Sequence, residues 1–418
     1  MELRERVLVL GGSLPHVSVV EVLKELGYYV IVFDYNEFPP ARKYADSFEQ
    51  ISIIDKEAVL EGARRLKVDR IINCCNDFAI PVASYVSEVL NLPQIMSYES
   101  ALDCTDKIRM KDVFLRNGIP TSKYIKVSSA NELVSEVSFP VVVKPADTSG
   151  SRGIRKINSV DVIGEAINNA LSQCVFRKEV VVEEFVEGEE YQVDCIVQNG
   201  NVEVALIRLK PKFQKNEISS CVGSLITPRI FEENYFEFKN LAESLAKAFE
   251  IRNNTFFFQL IKSKDNVSVI ELGVRVGGGW SHKMIKEITG LDFIKVSLYS
   301  QLGREERFQH HRPLKCYHTC FLFSKAGVFQ KVSGLEALLK EGVIDSYQVL
   351  MSSGSCVNGV ITNKNRVAIY MISSDSMDEL RKKVSFAIHN VDIVDANGES
   401  VFDSSNYDGF VSSLSQFD

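Results

Sequence analysis

The segment from Arg6 to Phe33 limits the possible folds more than any other part of the chain. Arg6-Val-Leu-Val-Leu10 is an apolar run that stops at Gly11-Gly12. An amphipathic stretch from Val17 to Leu26 follows and closes at Gly27, and a second apolar run, Tyr28 to Phe33, comes next. Strand, glycine turn, helix, strand is a βαβ unit, and the two strands it joins are parallel. A further helix over Lys56 to Lys67 and a strand over Arg70 to Cys74 extend the unit, so the spacing predicts a Rossmann-like open parallel sheet over residues 1–97. A dinucleotide fingerprint starting at Gly11 would need glycine where Ser13 and His16 stand. Gly11-Gly12-Ser13 reads instead as a tight turn with amides at a helix start.

The chain has 418 residues, enough for two to four domains. Charged residues make up 25% and the net charge is −7, which argues against a polyanion-binding surface and hence against nucleic acid as a partner. No apolar run approaches membrane-spanning length and the start is charged, so the expectation is a cytoplasmic protein with no membrane association. The nine cysteines lack framework spacing, as reduced thiols would.

Beyond residue 97 the pattern predicts a helix with Asp103, Asp106 and Lys107 near its start, ending at Asn117-Gly118. Strands are predicted over Tyr124–Val127, Val141–Lys144, Val180–Val186 and Tyr191–Val197, a helix over Phe236–Phe249, and a hairpin of Asn254–Ile261 with Val267–Leu272. Residues 306–418 alternate strands and helices, which predicts a mixed α+β lobe, while 98–305 forms the middle domain with a subdomain near 122–188.

Three stretches carry chemistry. In Phe139 to Ile154 a buried strand delivers Lys144 to a loop whose Ser149, Gly150, Ser151 and Gly153 leave backbone amides open to phosphate oxygens. It is not a Walker A loop, because the lysine precedes the glycines. In the hairpin, Gln259 and Glu271 fall on neighbouring strands, where two oxygen side chains can hold Mg²⁺ that also binds ATP phosphates, and Arg275 offers a planar fork to a phosphoryl group or a carboxylate. In Glu183-Glu184-Phe185-Val186 and on to Glu190, extended backbone can read an adenine edge and a carboxylate can accept both ribose hydroxyls. Each has a plainer structural reading: a surface lysine before a loop, an edge hairpin with a solvated glutamate, an acidic turn.

In this order the three stretches resemble the ATP-grasp superfamily from about Asp106 to Gly290. The resemblance implies an ATP-grasp fold of two α+β subdomains, with a Rossmann-like domain before it and an α+β closing domain after. It implies ATP contacts at Lys107 and Lys144, an adenine hinge at Glu183 to Val186, a ribose acid at Glu190, metal ligands at Gln259 and Glu271, and a phosphate or substrate arginine at Arg275. Lys144, Glu271 and Arg275 are the catalytic candidates. The cofactors implied are ATP and Mg²⁺, or Mn²⁺ in its place. The family's usual Glu-x-Asn-x-Arg reads Glu271-Leu272-Gly273-Val274-Arg275, so one oxygen ligand is missing, and Gln259 stands where glutamate is commoner. Gly277-Gly-Gly-Trp-Ser-His282 is similar to the turn that borders the acceptor site of L-amino acid ligases.

The activity implied is ATP-dependent ligation of a small-molecule carboxylate to an amine through an acyl phosphate, and the assembly expected is a homodimer. Carboxylase or transformylase chemistry on bicarbonate or formate, and nucleotide binding with little turnover, are the alternatives. Arg208, Lys210, Lys212 and Lys215 either face a bound triphosphate or form a solvated strand edge. Cys316, His318 and Cys320 read as buried side chains rather than a zinc site, because i, i+2, i+4 positions on a flat strand lie too far apart for one ion. Cys74 and Cys75 read as core, and no G-x-S-x-G elbow marks a hydrolase.

Overall fold

The computed structural model describes residues 4–132, 137–148, 153–213, 221–264, 266–304, 306, 308–359, 361–362 and 365–417. It opens with the expected parallel sheet. Strands β1 (Arg6–Leu10), β2 (Tyr29–Phe33), β3 (Ser47–Glu49) and β4 (Arg70–Ile72) lie in the order β3-β2-β1-β4, all parallel. Both faces are covered, which is why the strands are apolar without a break: Val7, Val9, Val30 and Val32 enter one core, Leu8, Leu10, Ile31 and Phe33 another. The first helix is longer at its start than the periodicity suggests, Leu14–Glu25, because Pro15 sits in its first turn.

The single helix expected around residues 103–118 is two, Tyr98–Thr105 and Lys107–Arg116. Asp106 is extended between them and its carboxylate accepts from the amides of Ile108 and Arg109. A capping aspartate thus outcompetes continuation of the helix and places Lys107 at a new helix start.

A four-stranded antiparallel sheet follows, built from β5 (Tyr124–Val127), β6 (Val141–Pro145), β7 (Arg155–Ile157) and β8 (Val180–Glu184) in the order β5-β8-β6-β7, with the helix Ile163–Gln173 on one face. Facing it is an eight-stranded sheet. Its strands are β9 (Glu189–Gln198), β10 (Asn201–Leu209), β11 (Gly223–Ile226), β12 (Asn254–Lys262), β13 (Val267–Gly273), β14 (Cys316–Phe323), β16 (Ser346–Val349) and β18 (Arg366–Ser374). They run in the order β13-β12-β9-β10-β11-β14-β18-β16. The short strands β15 (Gly327–Ser333), β17 (Cys356–Val357) and β19 (Asp392–Asp395) make a separate sheet.

Strands β10 and β11 were not among the elements the sequence suggested, and through them the sheet crosses position 305 into the carboxyl-terminal residues. The join is the β11–β14 pairing, where Gly223 lies opposite Cys320 and a Cβ at 223 would stand 1.6 Å from the Thr319 carbonyl oxygen. The helix expected from Phe236 begins eight residues earlier, spanning Pro228–Ala248, because Thr227 caps the Ile230 amide and Pro228 occupies the first turn. No helix among the described residues is long and apolar enough to cross a membrane.

Candidate active site

The two antiparallel sheets enclose a cleft of about 320 Å³. Lys107, Lys144, Glu183, Glu184, Phe185, Val186, Glu190, Gln259, Glu271 and Arg275, drawn from residues 107 to 275, all line it. Ser149, Gly150 and Ser151, and with them Lys215, lie outside the described residues. Gly153 has φ +71° and abuts Pro145, next to Ile154 on the cleft wall. The loop's root is pinned by Asp147, whose carboxylate accepts from the amides of Val175, Phe176 and Arg177 at 2.9, 2.5 and 2.7 Å.

One end of the cleft is lined by buried lysines. Lys107 is buried and donates to the Thr148 carbonyl, while its own amide donates to Ala146. The strand β6 brings Lys144 to 2.6 Å from Glu183 Oε1, and Lys111 stands 2.7 Å from Oε2 of the same carboxylate. Lys111 also donates to Thr121 and Ser122, and Ser122 Oγ donates to Glu183. Burial pushes the Glu183 carboxyl up, but Lys144 and Lys111 outweigh it and hold it at about 2. Burial also brings the Lys111 ammonium down to about 8 against the pull of Glu183. The Glu183 side chain therefore orders two lysines, a task that its place in the expected hinge did not suggest. The hinge backbone is partly committed to the sheet, since the Glu184 and Phe185 amides donate to Lys123 and Pro140.

At the other end Glu190 pairs with Lys210 at 2.5 Å and Lys212 at 2.8 Å, and these two cations hold its carboxyl at about 2 although burial opposes ionisation. The basic cluster of β10 and the residues after it therefore faces the cleft rather than a solvated edge. Arg208 lies deeper. It bonds Asp194 at 3.0 and 3.3 Å and Ser281 Oγ at 2.6 Å, and Asp194 in turn accepts from Gln192, which accepts from Gln259. This buried polar chain crosses β12, β9 and β10 and ends at the helix Ser281–Thr289.

Gln259 and Glu271 are direct cross-strand partners. The Gln259 amide nitrogen donates to Gln192, which leaves its carbonyl oxygen for the cleft beside the Glu271 carboxylate. Two hard oxygen donors of low charge fit Mg²⁺ that takes its other ligands from phosphates and water. Among the described residues no group of three or more His, Cys, Asp or Glu could hold a metal unaided. Gly273 has a steric reason: it pairs with Phe257, and a Cβ at 273 would lie 2.5 Å from that ring. The Arg275 guanidinium stands 5.1 Å from the centroid of the same ring. It is gripped by Asp77, with Nε 2.6 Å and Nη2 2.5 Å from the two carboxylate oxygens, while Nη1 donates to the Val276 carbonyl. The fork is thus oriented by the loop after β4, leaving only its remaining N–H groups for a ligand.

Asp77, Lys111, Asp147, Gln192 and Asp194 were not among the sequence candidates. Gln192 and Asp194 had a readable signal, polar residues at alternate positions of an apolar strand. Asp77 follows the carboxyl end of a parallel strand, where ligands gather in open α/β sheets. Lys111 and Asp147 carried no comparable mark. Cys316, His318 and Cys320 are buried in β14, and His318 stacks on Phe410.

Residues 137–283 match the family described as ATP-grasp domain. These residues are an ATP-grasp domain. A solved L-amino acid ligase from Bacillus licheniformis shares the fold over 95% of this chain and 100% of its own, with TM-score 0.79 and 20% identity. An N5-carboxyaminoimidazole synthetase from Staphylococcus aureus, solved with ADP, does so over 92% and 98%, with TM-score 0.72 and 16% identity. The L-arginine-specific L-amino acid ligase of Bacillus subtilis is 24% identical over 271 residues, 60% of this chain. That match spans 65% of the relative's length, just under two thirds. Lys144, Gly153, Glu183, Glu190, Gln259, Glu271 and Arg275 fall within the matched residues, whereas Lys107, Lys111 and Asp77 come from elements before them.

Proposed function

We propose that the protein is an ATP-dependent carboxylate–amine ligase. The observation that carries this reading is the junction of two cavities. The cleft between the sheets meets a larger cavity of about 1580 Å³, and Arg275, Gly278, Gly279 and Arg366 line both. A nucleotide in the first and a carboxylate in the second would touch at that junction.

In this reading Lys107 and Lys144 bind phosphate oxygens. Glu190, held by Lys210 and Lys212, faces the ribose, and the strand end at Glu184 to Val186 faces the base. Gln259 and Glu271 would hold Mg²⁺, or Mn²⁺, and the chemistry supplied there is neutralisation of charge on the β- and γ-phosphate oxygens. A carboxylate oxygen attacks the γ-phosphorus, the bond to the β-phosphate oxygen breaks, and ADP leaves. The nitrogen of an amine then attacks the acyl carbon, loses a proton, and expels inorganic phosphate as the C–N bond forms. The protein's work is positioning, charge stabilisation and exclusion of water, with Arg275 fixed by Asp77 beside the transferring group. Bicarbonate or formate would fill only a small part of the larger cavity, so an organic carboxylate is favoured.

Incubation with ATP, Mg²⁺ and mixed amino acids tests the reading. ADP and phosphate release that depends on an amino acid, with a product mass equal to two substrates less water, is expected. Release driven by bicarbonate or formate alone, or tight ATP binding without release, would overturn it.

A further inference from the structure

The larger cavity gathers exposed apolar side chains on one side, where Arg42 and Lys43 also line it, 5.3 Å and 4.8 Å from the centroids of the Phe38 and Tyr44 rings. Its far side is made by loops that follow β1, β2 and β3 of the parallel sheet, and Leu14, Tyr35, Phe38, Tyr44 and Ile54 all line it. These are among the large apolar side chains the protein leaves to solvent, and Tyr35 and Phe38 are 73% and 72% exposed. Single exposed apolar residues are ordinary, but several converging on one concave wall from three loops mark a surface shaped for an apolar ligand. The near wall is the cavity junction. There Arg275 is set by Asp77, and Arg366, at the start of β18, stands over Phe321 with its guanidinium carbon 3.6 Å from the ring centroid. Gly279 beside it has φ +67°, a left-handed conformation that favours glycine at this turn.

We propose that this cavity takes a carboxylate substrate with a bulky apolar or aromatic body, its carboxylate at Gly278–Gly279 between Arg275 and Arg366 and its body on Tyr35 and Phe38. The inference rests on the ligase reading and narrows it to a substrate class. Planar guanidinium groups favour a carboxylate, and two of them at the junction hold it where an attacking oxygen meets the γ-phosphorus. A small acid anchored at the arginines has no apolar body to cover the aromatic residues of the cavity.

Trp280, the protein's single tryptophan, also lines this cavity, so its fluorescence reports occupancy without turnover. The full chain, with a non-hydrolysable ATP analogue and Mg²⁺, is titrated with phenylalanine and with alanine. Phenylalanine should saturate at a concentration roughly tenfold or more below alanine, in line with the extra apolar surface it covers. Tyr35→Ala with Phe38→Ala, both exposed and so compatible with folding, should abolish that preference while alanine binding changes little. Equal affinity for the two acids, or a preference that survives the double substitution, would overturn the proposal. Saturable phenylalanine binding with no acid-dependent ADP release would sustain the pocket and reject the ligase reading. Alanine-dependent release without phenylalanine binding would do the reverse.

Discussion

Glu183 shows how one side chain governs a site through the partners it holds. Its carboxylate is the common partner of Lys111 and Lys144, and all three are buried. Removing one member of a buried ion cluster costs about 3–5 kcal/mol because the remaining charges lose their compensation. Glu183→Gln is therefore expected to lower the midpoint of urea unfolding and weaken ATP binding together; a variant with unchanged midpoint and affinity would refute the role. The sign of the pH effect follows from a carboxyl held at about 2 against an ordinary 4.5. Its contribution is present above pH 4.5 and lost as pH falls towards 2, about 3 kcal/mol over that window. Unfolding measured at pH 6 and at pH 3 should thus show a smaller wild-type-to-Glu183→Gln difference at pH 3. Gly273 makes the complementary point about space. Gly273→Asn would drive a side chain into the Phe257 ring and is expected to destabilise by about 1–3 kcal/mol. Combined with Phe257→Ala, it should cost less than the two single changes summed, measured by thermal unfolding. Additive costs would show that Phe257 is not what requires glycine there.

At the scale of elements, the break at Asp106 and the pairing at Gly223 position the site. Asp106 ends one helix, caps the next, and meets Arg177 at 2.7 Å, so Lys107 enters the cleft at a helix start. Asp106→Ala should cost about 1–2 kcal/mol from the lost cap and raise the KM for ATP; an unchanged KM would mean the two helices hold Lys107 without it. Both features follow physical rules, yet they differ in legibility. The aspartate could have been read as a cap from Asp106 alone, but the apolar periodicity runs through it and suggests continuity. Gly223 gives no local cue, because the group it must avoid, the Thr319 carbonyl, is 96 residues away in sequence.

Across the whole molecule, the site is assembled from units that touch only in the folded state. Asp77 follows the parallel sheet, Arg275 follows β13, and Arg366 starts β18; the first two form a bidentate pair and all three line the cleft. Asp77→Asn should leave the parallel sheet folded and lower kcat/KM by about a hundredfold through loss of the guanidinium's orientation; steady-state kinetics showing no change would sink that assignment. The sequence by itself determined the parallel sheet and the two neighbouring strands that carry Gln259 and Glu271, because strand periodicity and glycine turns are local properties of the chain, while its resemblance to a known family pointed to residues that line the cleft. Only the tertiary structure decided that Glu183 holds two lysines, that Asp77 grips Arg275, that Phe257 fills the space beside Gly273, and that the central sheet continues through β14 and β18. Those outcomes depend on contacts between residues distant in sequence, and their energies come from desolvation and steric fit that exist only once the layers have closed.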